Sequence, residues 1–87
     1  MFTTTIKAKV EYIVKSATRK VDGTEWYILY DGDEMIMAAE KLSKQDHLEN
    51  LEGNECYHVC ERFITRTGAM FIYARDEEAD VDYLIRV

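Results

Sequence analysis

Residues 24–41, TEWYILYDGDEMIMAAEK, contain the strongest structural signal in this 87-residue chain. Two short apolar runs flank the tetrapeptide DGDE at 31–34. Asp-Gly between two β-type runs is typical of a tight hairpin turn, because glycine adopts the positive φ that such turns require. The pattern predicts a β-hairpin whose first strand carries Trp26 and Tyr30 on one face and Tyr27 on the other.

The length and composition of the chain indicate one small globular domain. Eighty-seven residues leave room for a single core, so residues 1–87 are predicted to form one domain. A hydrophobic share of 47% and a charged share of 32% are typical of a folded protein rather than a disordered one. The chain has no apolar run near the roughly 18 residues of a membrane span, and its start lacks a signal-peptide core. We therefore expect a cytoplasmic, intracellular protein.

The two cysteines, Cys56 and Cys60, lie four residues apart in one apparent strand. An extended strand separates residues at that spacing by about 13 Å, which is well beyond disulfide reach. We therefore expect reduced thiols, in agreement with an intracellular setting.

The net charge of −6 is distributed in blocks along the chain. Residues 1–30 and 56–75 each carry +2, whereas residues 31–55 carry −6 and residues 76–87 carry −4. Net acidity alone argues against nucleic acid and anionic membranes as partners. The block pattern still allows a locally basic ligand face, because most of the acidity lies in two separate segments.

Outside the hairpin, three further strands, a short helix and a C-terminal apolar segment are predicted. The strands cover residues 3–16, with a bend at 12–14, residues 56–65 and residues 70–74. The helix covers residues 43–51, with Ser43 as its N-cap and Gly53 ending it. Residues 83–87, YLIRV, form either a last edge strand or an interaction tail. They end the C-terminal stretch 76–87, which is also acidic.

This order of elements predicts a mainly β fold. Three strands, a short helix and two strands match the oligonucleotide/oligosaccharide-binding (OB) fold, a five-stranded Greek-key barrel of about this size with its helix between strands three and four. An SH3-like barrel or a small α+β sheet is the alternative.

Marker residues strengthen the first of these interpretations. They are Val10 in the first strand; Trp26, Leu29 and Asp31 in the second; Ile36 in the third; and Leu51-x-Gly53-x-x-x-Tyr57-x-Val59 leading into the fourth. In these spacings the chain resembles, over about residues 5–75, the OB-folds of single-strand-binding and replication protein A-type proteins. The resemblance implies a non-enzymatic module that binds single-stranded DNA or RNA.

The predicted nucleic-acid site combines cations with aromatic rings. OB-fold ligands lie against strands two and three, between the loops that join strands one to two and four to five, here residues 17–23 and 65–69. The predicted nucleic-acid-binding residues are Arg19, Lys20, Trp26, Tyr27, Tyr30, Arg66 and Tyr73. The cations would neutralise phosphates, and each base stacked on a ring would contribute roughly 1–3 kcal/mol. Alternatively, the rings simply fill the interior of a small barrel.

A second function follows from the acidic block at 31–55. This block would act as the binding surface of a protein-interaction or inhibitor module, such as a phage-encoded adaptor or a nucleic-acid mimic, directed at a basic partner surface. The residues expected to act there are Asp33, Glu34, Glu49 and Glu52. Homodimerisation through an edge strand such as residues 83–87 is also compatible with the sequence.

Signals for catalysis, metals and cofactors are weak. The chain has no Ser-His-Asp or P-loop pattern, and the acids at 31–34 lack the later glutamate of a calcium loop. Cys56-x-His58-x-Cys60 places three potential zinc ligands on one strand face, but the outer two are too far apart to close around the ion. We therefore expect a binding protein without enzymatic activity, metal or cofactor.

Overall fold

The computed structural model describes residues 6–8, for their backbone only, and residues 11–87. The elements are β1 (Ile6–Ala8), β2 (Tyr12–Thr18), β3 (Glu25–Asp31), β4 (Glu34–Lys41), α1 (Lys44–Gly53), β5 (Tyr57–Ile64), β6 (Met70–Asp76) and β7 (Val81–Arg86). The prediction of a mainly β domain with one short helix is confirmed. The predicted strand start at residues 3–5 and the marker Val10 lie outside the described residues.

The seven described strands form one sheet in the order β1-β5-β6-β7-β4-β3-β2. The β1–β5 and β4–β7 pairs are parallel, and the other pairs are antiparallel. The prediction of a closed five-stranded barrel is therefore wrong. β7 lies between β4 and β6, and no ladder joins β1 to β2 in the described part of the chain.

The predicted hairpin is present as β3 and β4. Asp31 pairs with Glu34, so the turn consists of Gly32 and Asp33, and Gly32 adopts the positive φ of 61° that favours glycine. Further along, Leu29 pairs with Met37 and Tyr30 with Met35, which leaves one extra residue as a bulge in β4. The side chains of β3 alternate between the two faces as the sequence predicted.

The sheet curls so that its inner face encloses a core. Leu29, Ala39, Phe63, Phe71 and Leu84 form this inner cluster, and Phe63 and Leu84 are almost completely buried. Phe71 on β6 meets Tyr27 on β3 edge-on, with ring centroids 5.2 Å apart. Since β7 and β4 lie between these two strands, the contact requires the sheet to fold over itself.

Helix α1 covers part of the outer face. The side chain of Ser43 accepts a hydrogen bond from the backbone N–H of Asp46 at 3.0 Å, which confirms the predicted N-cap. The helix lies against β5 and β7, next to a second cluster that contains Tyr57, Ala74 and Ile85. Among the described residues α1 makes no extensive contact with β2, β3 or β4, so we call the outer face of these strands uncovered.

His47 anchors the helix and should make the fold sensitive to acid. It is buried, and its Nδ1 lies 2.6 Å from the Tyr57 hydroxyl oxygen. Burial, with a smaller contribution from the charge of Arg62, lowers the pKa of His47, and burial raises the pKa of Tyr57 to about 12. The imidazole is therefore neutral in the folded chain at a pH where the unfolded chain binds a proton.

The free energy of unfolding is accordingly expected to fall as the pH drops below about 6.5, the ordinary imidazole pKa, and to level off below the folded-state pKa. Urea unfolding between about pH 5 and pH 8 would measure this for the wild type and for His47→Gln, whose amide does not titrate. The stability difference between the two proteins should change over this range. A constant difference would contradict the neutral, buried imidazole.

The C-terminal residues form an internal strand rather than an edge strand or a tail. β7 pairs with β6 over six residues and with β4 at Glu40 and Lys41. The expectation of an edge strand at residues 83–87 is therefore wrong, since β7 lies between β6 and β4. Homodimerisation through an edge strand stays a prediction. No helix in the described residues is long and apolar enough to cross a bilayer.

Candidate interaction surfaces

The β2–β3 loop holds Arg19 in an ion pair. Its guanidinium donates to both carboxylate oxygens of Asp22, with Nε 3.1 Å from each, and Asp22 also accepts from the backbone N–H of Thr24 at 3.0 Å. These hydrogen bonds hold the pKa of Asp22 well below its usual range, and Asp22 raises the pKa of Arg19. The positive charge of Arg19 is therefore largely compensated within the loop.

Two of the predicted rings lie on the uncovered outer face of the sheet. The Arg19 guanidinium carbon lies 5.4 Å from the centre of the Trp26 ring, and the Lys15 ammonium lies 5.1 Å from the centre of the Tyr30 ring. Both rings are partly exposed. The arrangement brings cations and rings together, as a nucleic-acid face requires, but each ring already has a cation next to it.

The other two predicted rings belong to the inner face. Tyr27 packs against Phe71, and the Lys41 ammonium lies 4.8 Å from its ring centre. The Tyr73 hydroxyl donates to Asp82 at 2.7 Å, and burial followed by this contact raises the pKa of Tyr73. The predicted aromatic set is thus divided between two opposite faces of the sheet.

The predicted cations are separated as well. Arg66 lies in the β5–β6 turn, where its backbone N–H donates to the carbonyl oxygen of Tyr12 at 2.9 Å. Arg19 and Lys20 instead follow Thr18 at the far end of β2. Six residue steps of a strand cover roughly 20 Å, so these residues do not form one cluster. A nucleic-acid site that includes all seven residues stays a prediction.

The acidic segment, residues 31–55, extends from the β3–β4 turn to the end of α1. Asp33 and Glu34 are exposed at the turn, and Glu49 and Glu52 are exposed on the helix. The same segment exposes four large apolar side chains, which are those of Met35 (59%), Ile36 (45%), Leu48 (60%) and Leu51 (46%). Sequence reasoning selected the acids but did not select these apolar neighbours.

The exposed leucines result from the way in which α1 is oriented. Leu48 and Leu51 are three residues apart and lie on one side of the helix, while the neighbouring His47 points into the domain. The hydrogen bond and the edge-on ring contact between His47 and Tyr57, with centroids 5.6 Å apart, hold this orientation. The helix therefore presents an apolar strip between acidic residues, where an ordinary surface helix would bury its leucines.

The acids that follow β6 serve local structure. The Asp76 carboxylate accepts from the backbone N–H of Ala79, from the Asn54 side chain and from the backbone N–H of Glu78, and these hydrogen bonds lower the pKa of Asp76. Arg75 forms ion pairs with Glu77 at 3.0 Å, with Asp82 at 2.8 Å and with Asp80. These contacts close the β6–β7 turn.

The residues considered as zinc ligands are not arranged around a common point. Cys56 and Cys60 are free thiols, in agreement with the prediction, and the Cys56 sulfur lies 3.7 Å from a Glu78 carboxylate oxygen. His58 lies 3.8 Å from Glu77 through its Nε2. In residues 11–87 no group of three or more His, Cys, Asp or Glu side chains is placed to hold a metal ion.

Comparison with known proteins identifies no relative of this chain. No family model, no curated protein and no solved structure matches the chain. The resemblance to OB-folds consequently stays a prediction.

Proposed function

We propose that this chain is a non-enzymatic protein-interaction module that presents its acidic segment, residues 31–55, to a partner with a basic surface. The observation that carries the proposal is the coincidence of charge and exposed apolar area. Among the described residues, four of the six exposed large apolar side chains fall in the segment that carries a net charge of −6. Apolar side chains supply area that is buried on binding, and the surrounding acids select and steer a basic partner.

Helix α1 is the centre of the proposed surface. Leu48 and Leu51 would enter an apolar depression of the partner, in the manner of amphipathic helices that bind grooves. Glu49 and Glu52 would face lysine or arginine side chains at the rim of that depression. An adaptor and an inhibitor that occupies a nucleic-acid channel both fit this description, because both require a basic partner surface.

The test uses paired variants of the helix and matched controls elsewhere. The tagged chain would capture proteins from a nuclease-treated lysate of its source cells, and the captured protein would be purified for calorimetry. Both Glu49→Lys/Glu52→Lys and Leu48→Ser/Leu51→Ser should weaken binding by about tenfold or more, which is ~1.4 kcal/mol. The affinity of the wild type should also fall as salt rises.

The controls change the same residue types outside the segment. Val21→Ser removes the large apolar side chain that is the most exposed among the described residues, at 93%, and Glu25→Lys reverses an exposed acid on β3. Both should bind like the wild type. A partner that binds the two helix variants as tightly as it binds the wild type would refute the proposal.

Single-stranded nucleic acid is the second candidate, because cations lie next to Trp26 and Tyr30 on one uncovered face. Trp26 is the single tryptophan, so its fluorescence reports directly on this face. Titration with oligo(dT) and oligo(rU) at low salt would quench it if bases stack there, and the quenching would weaken as salt rises. Such quenching, together with loss of every captured protein after nuclease treatment, would favour this function over the first.

A further inference from the structure

The outer edge of β2 has backbone groups that pair with no other strand among the described residues. Strand β2 is the last in the order and pairs only with β3 in the described residues. Gly32 donates its N–H to the Glu11 carbonyl oxygen, and Arg19 donates to that of Thr24, so the odd-numbered residues of this strand face β3. By the alternation of an antiparallel ladder, the N–H and C=O groups of Val14 and Ser16 point outward.

A cleft of about 370 Å³ lies beside this edge. Its walls are β2 and the β5–β6 turn, which is held to the start of β2 by the hydrogen bond from Arg66 N–H to the Tyr12 carbonyl oxygen. Tyr27 and Phe71 supply apolar surface in the cleft, and the hydroxyls of Ser16 and Thr67 supply polar groups. Aromatic surface next to the outward backbone groups of Val14 and Ser16, which have no strand partner in the described residues, suits an extended peptide better than a compact ligand.

The cleft also contains a cation that has no carboxylate partner in the described part of the chain. Arg86 lines it, with its guanidinium carbon 5.8 Å from the centre of the Phe71 ring. Among the described residues Arg86 forms no ion pair, whereas Arg19 and Arg75 each have a carboxylate. The described lining of the cleft includes no acidic residue. A carboxylate is therefore the group that a ligand would have to bring.

We propose that the β2 edge and this cleft form a strand-addition site for an extended segment of a partner protein that carries a carboxylate. Val14 and Ser16 would pair with the backbone of the segment, its apolar side chains would contact Tyr27 and Phe71, and its carboxylate would bind Arg86. This surface lies outside residues 31–55 and is independent of the function proposed above. A second copy fits less well, because β2 (YIVKSAT) contains a lysine and no acid to offer Arg86.

Proline at position 16 separates strand addition from the stability of the fold. The Ser16 N–H faces away from β3, so Ser16→Pro removes no native ladder hydrogen bond but prevents an added strand from pairing. Ser16→Ala keeps the N–H and is the matched control. Arg86→Gln removes the charge and keeps a polar side chain of similar reach.

The experiment starts from a random 12-residue peptide library displayed on phage and selected on the full chain. Enriched peptides are expected to carry Asp or Glu among β-forming residues. Fluorescence polarisation with a labelled synthetic peptide should show at least tenfold weaker binding to Ser16→Pro and Arg86→Gln, and a change below twofold for Ser16→Ala. In the ¹⁵N-labelled wild type, the peptide should shift the amide signals of Val14 and Ser16, which tests the site even if Ser16→Pro folds poorly.

Three results would overturn the proposal. One is that no peptide is enriched, and another is that enriched peptides bind Ser16→Pro as tightly as the wild type or shift amide signals only elsewhere. The third is sedimentation of the wild type as a dimer that Ser16→Pro dissociates, since the occupant of the edge would then be a second copy.

Discussion

Deletion of residues 83–87 is expected to abolish cooperative folding of the chain. These residues include Leu84 and Ile85, which are both fully buried. Leu84 belongs to the inner apolar cluster, and Ile85 belongs to the second cluster. Strand β7 also supplies the backbone partners of both β6 and β4, so its loss would divide the sheet. Circular dichroism in urea should show no sigmoidal transition for the deletion variant, whereas loss of a free tail would leave the transition unchanged.

A single substitution tests the same point with less damage. Leu84→Ala should lower the free energy of unfolding by about 2–5 kcal/mol, because it removes buried apolar atoms and leaves a cavity at the centre of the sheet. Val87→Ala changes a neighbouring residue that is 49% exposed and should alter stability by less than about 0.5 kcal/mol. Small and similar effects of the two substitutions would contradict the interior position of β7.

The elements that local sequence rules determine were predictable. The β3–β4 hairpin follows from Gly32 between two apolar runs, and its turn contains the predicted glycine with positive φ. Helix α1 begins after Ser43 because the serine side chain satisfies a free N–H of the first turn. In both places the deciding interaction joins residues within a few positions of each other, so the pattern alone carries the information.

The position of β7 was not predictable by the same means. The sequence YLIRV has the composition of a strand, but an edge strand and a central strand of this length have the same sequence pattern. The position of the strand depends on which element pairs with β4, and residues 42–80 separate the two in the chain. That choice separates the observed seven-stranded order from a five-stranded barrel, in which the third and fifth strands would pair directly.

The orientation of α1 was not predictable from the sequence pattern either, for a different reason. Leucines three residues apart, such as Leu48 and Leu51, are typical of a helix face that packs on a core, but in this helix the buried residue is His47. The partner of His47 is Tyr57, ten residues further along the chain. A hydrophobicity pattern does not show that two polar side chains are buried together by a hydrogen bond. The candidate surface was accordingly predictable for its acids and not for the leucines among them.

The predicted nucleic-acid-binding residues do not lie together on one face of the sheet, for a related reason. Alternation along β3 correctly assigns Trp26 and Tyr27 to opposite faces, but it does not say which face the helix leaves uncovered. The ion pair of Arg19 with Asp22 is local, at a spacing of three residues, and the sequence contains it. The distance between Arg19 and Arg66 depends instead on how the β5–β6 turn meets the start of β2, which is a tertiary contact.

Phe71→Ala is expected to cost about 3–5 kcal/mol of unfolding free energy, because the Phe71 side chain is only 3% exposed and touches both halves of the sheet. Its ring stacks on Phe63 with centroids 5.8 Å apart and meets Tyr27 edge-on at 5.2 Å. Strands β6 and β3 are three positions apart in the sheet. In a flat sheet three steps of about 4.8 Å would separate them by roughly 14 Å, so the contact with Tyr27 exists only if the sheet curls.

A double-mutant cycle would measure that contact directly. Phe71→Leu and Tyr27→Leu, singly and together, should give a coupling energy of about 0.5–1.5 kcal/mol in urea unfolding, as expected for an edge-on aromatic pair. Ile72 is the matched control because its side chain points to the opposite face of β6 and belongs to the other cluster. Ile72→Ala combined with Tyr27→Leu should be additive within about 0.3–0.5 kcal/mol. Additivity in both cycles would mean that the two halves of the sheet do not meet. Both the enclosed core and the cleft beside β2 depend on Phe71 lying against Tyr27. That result would therefore contradict both features.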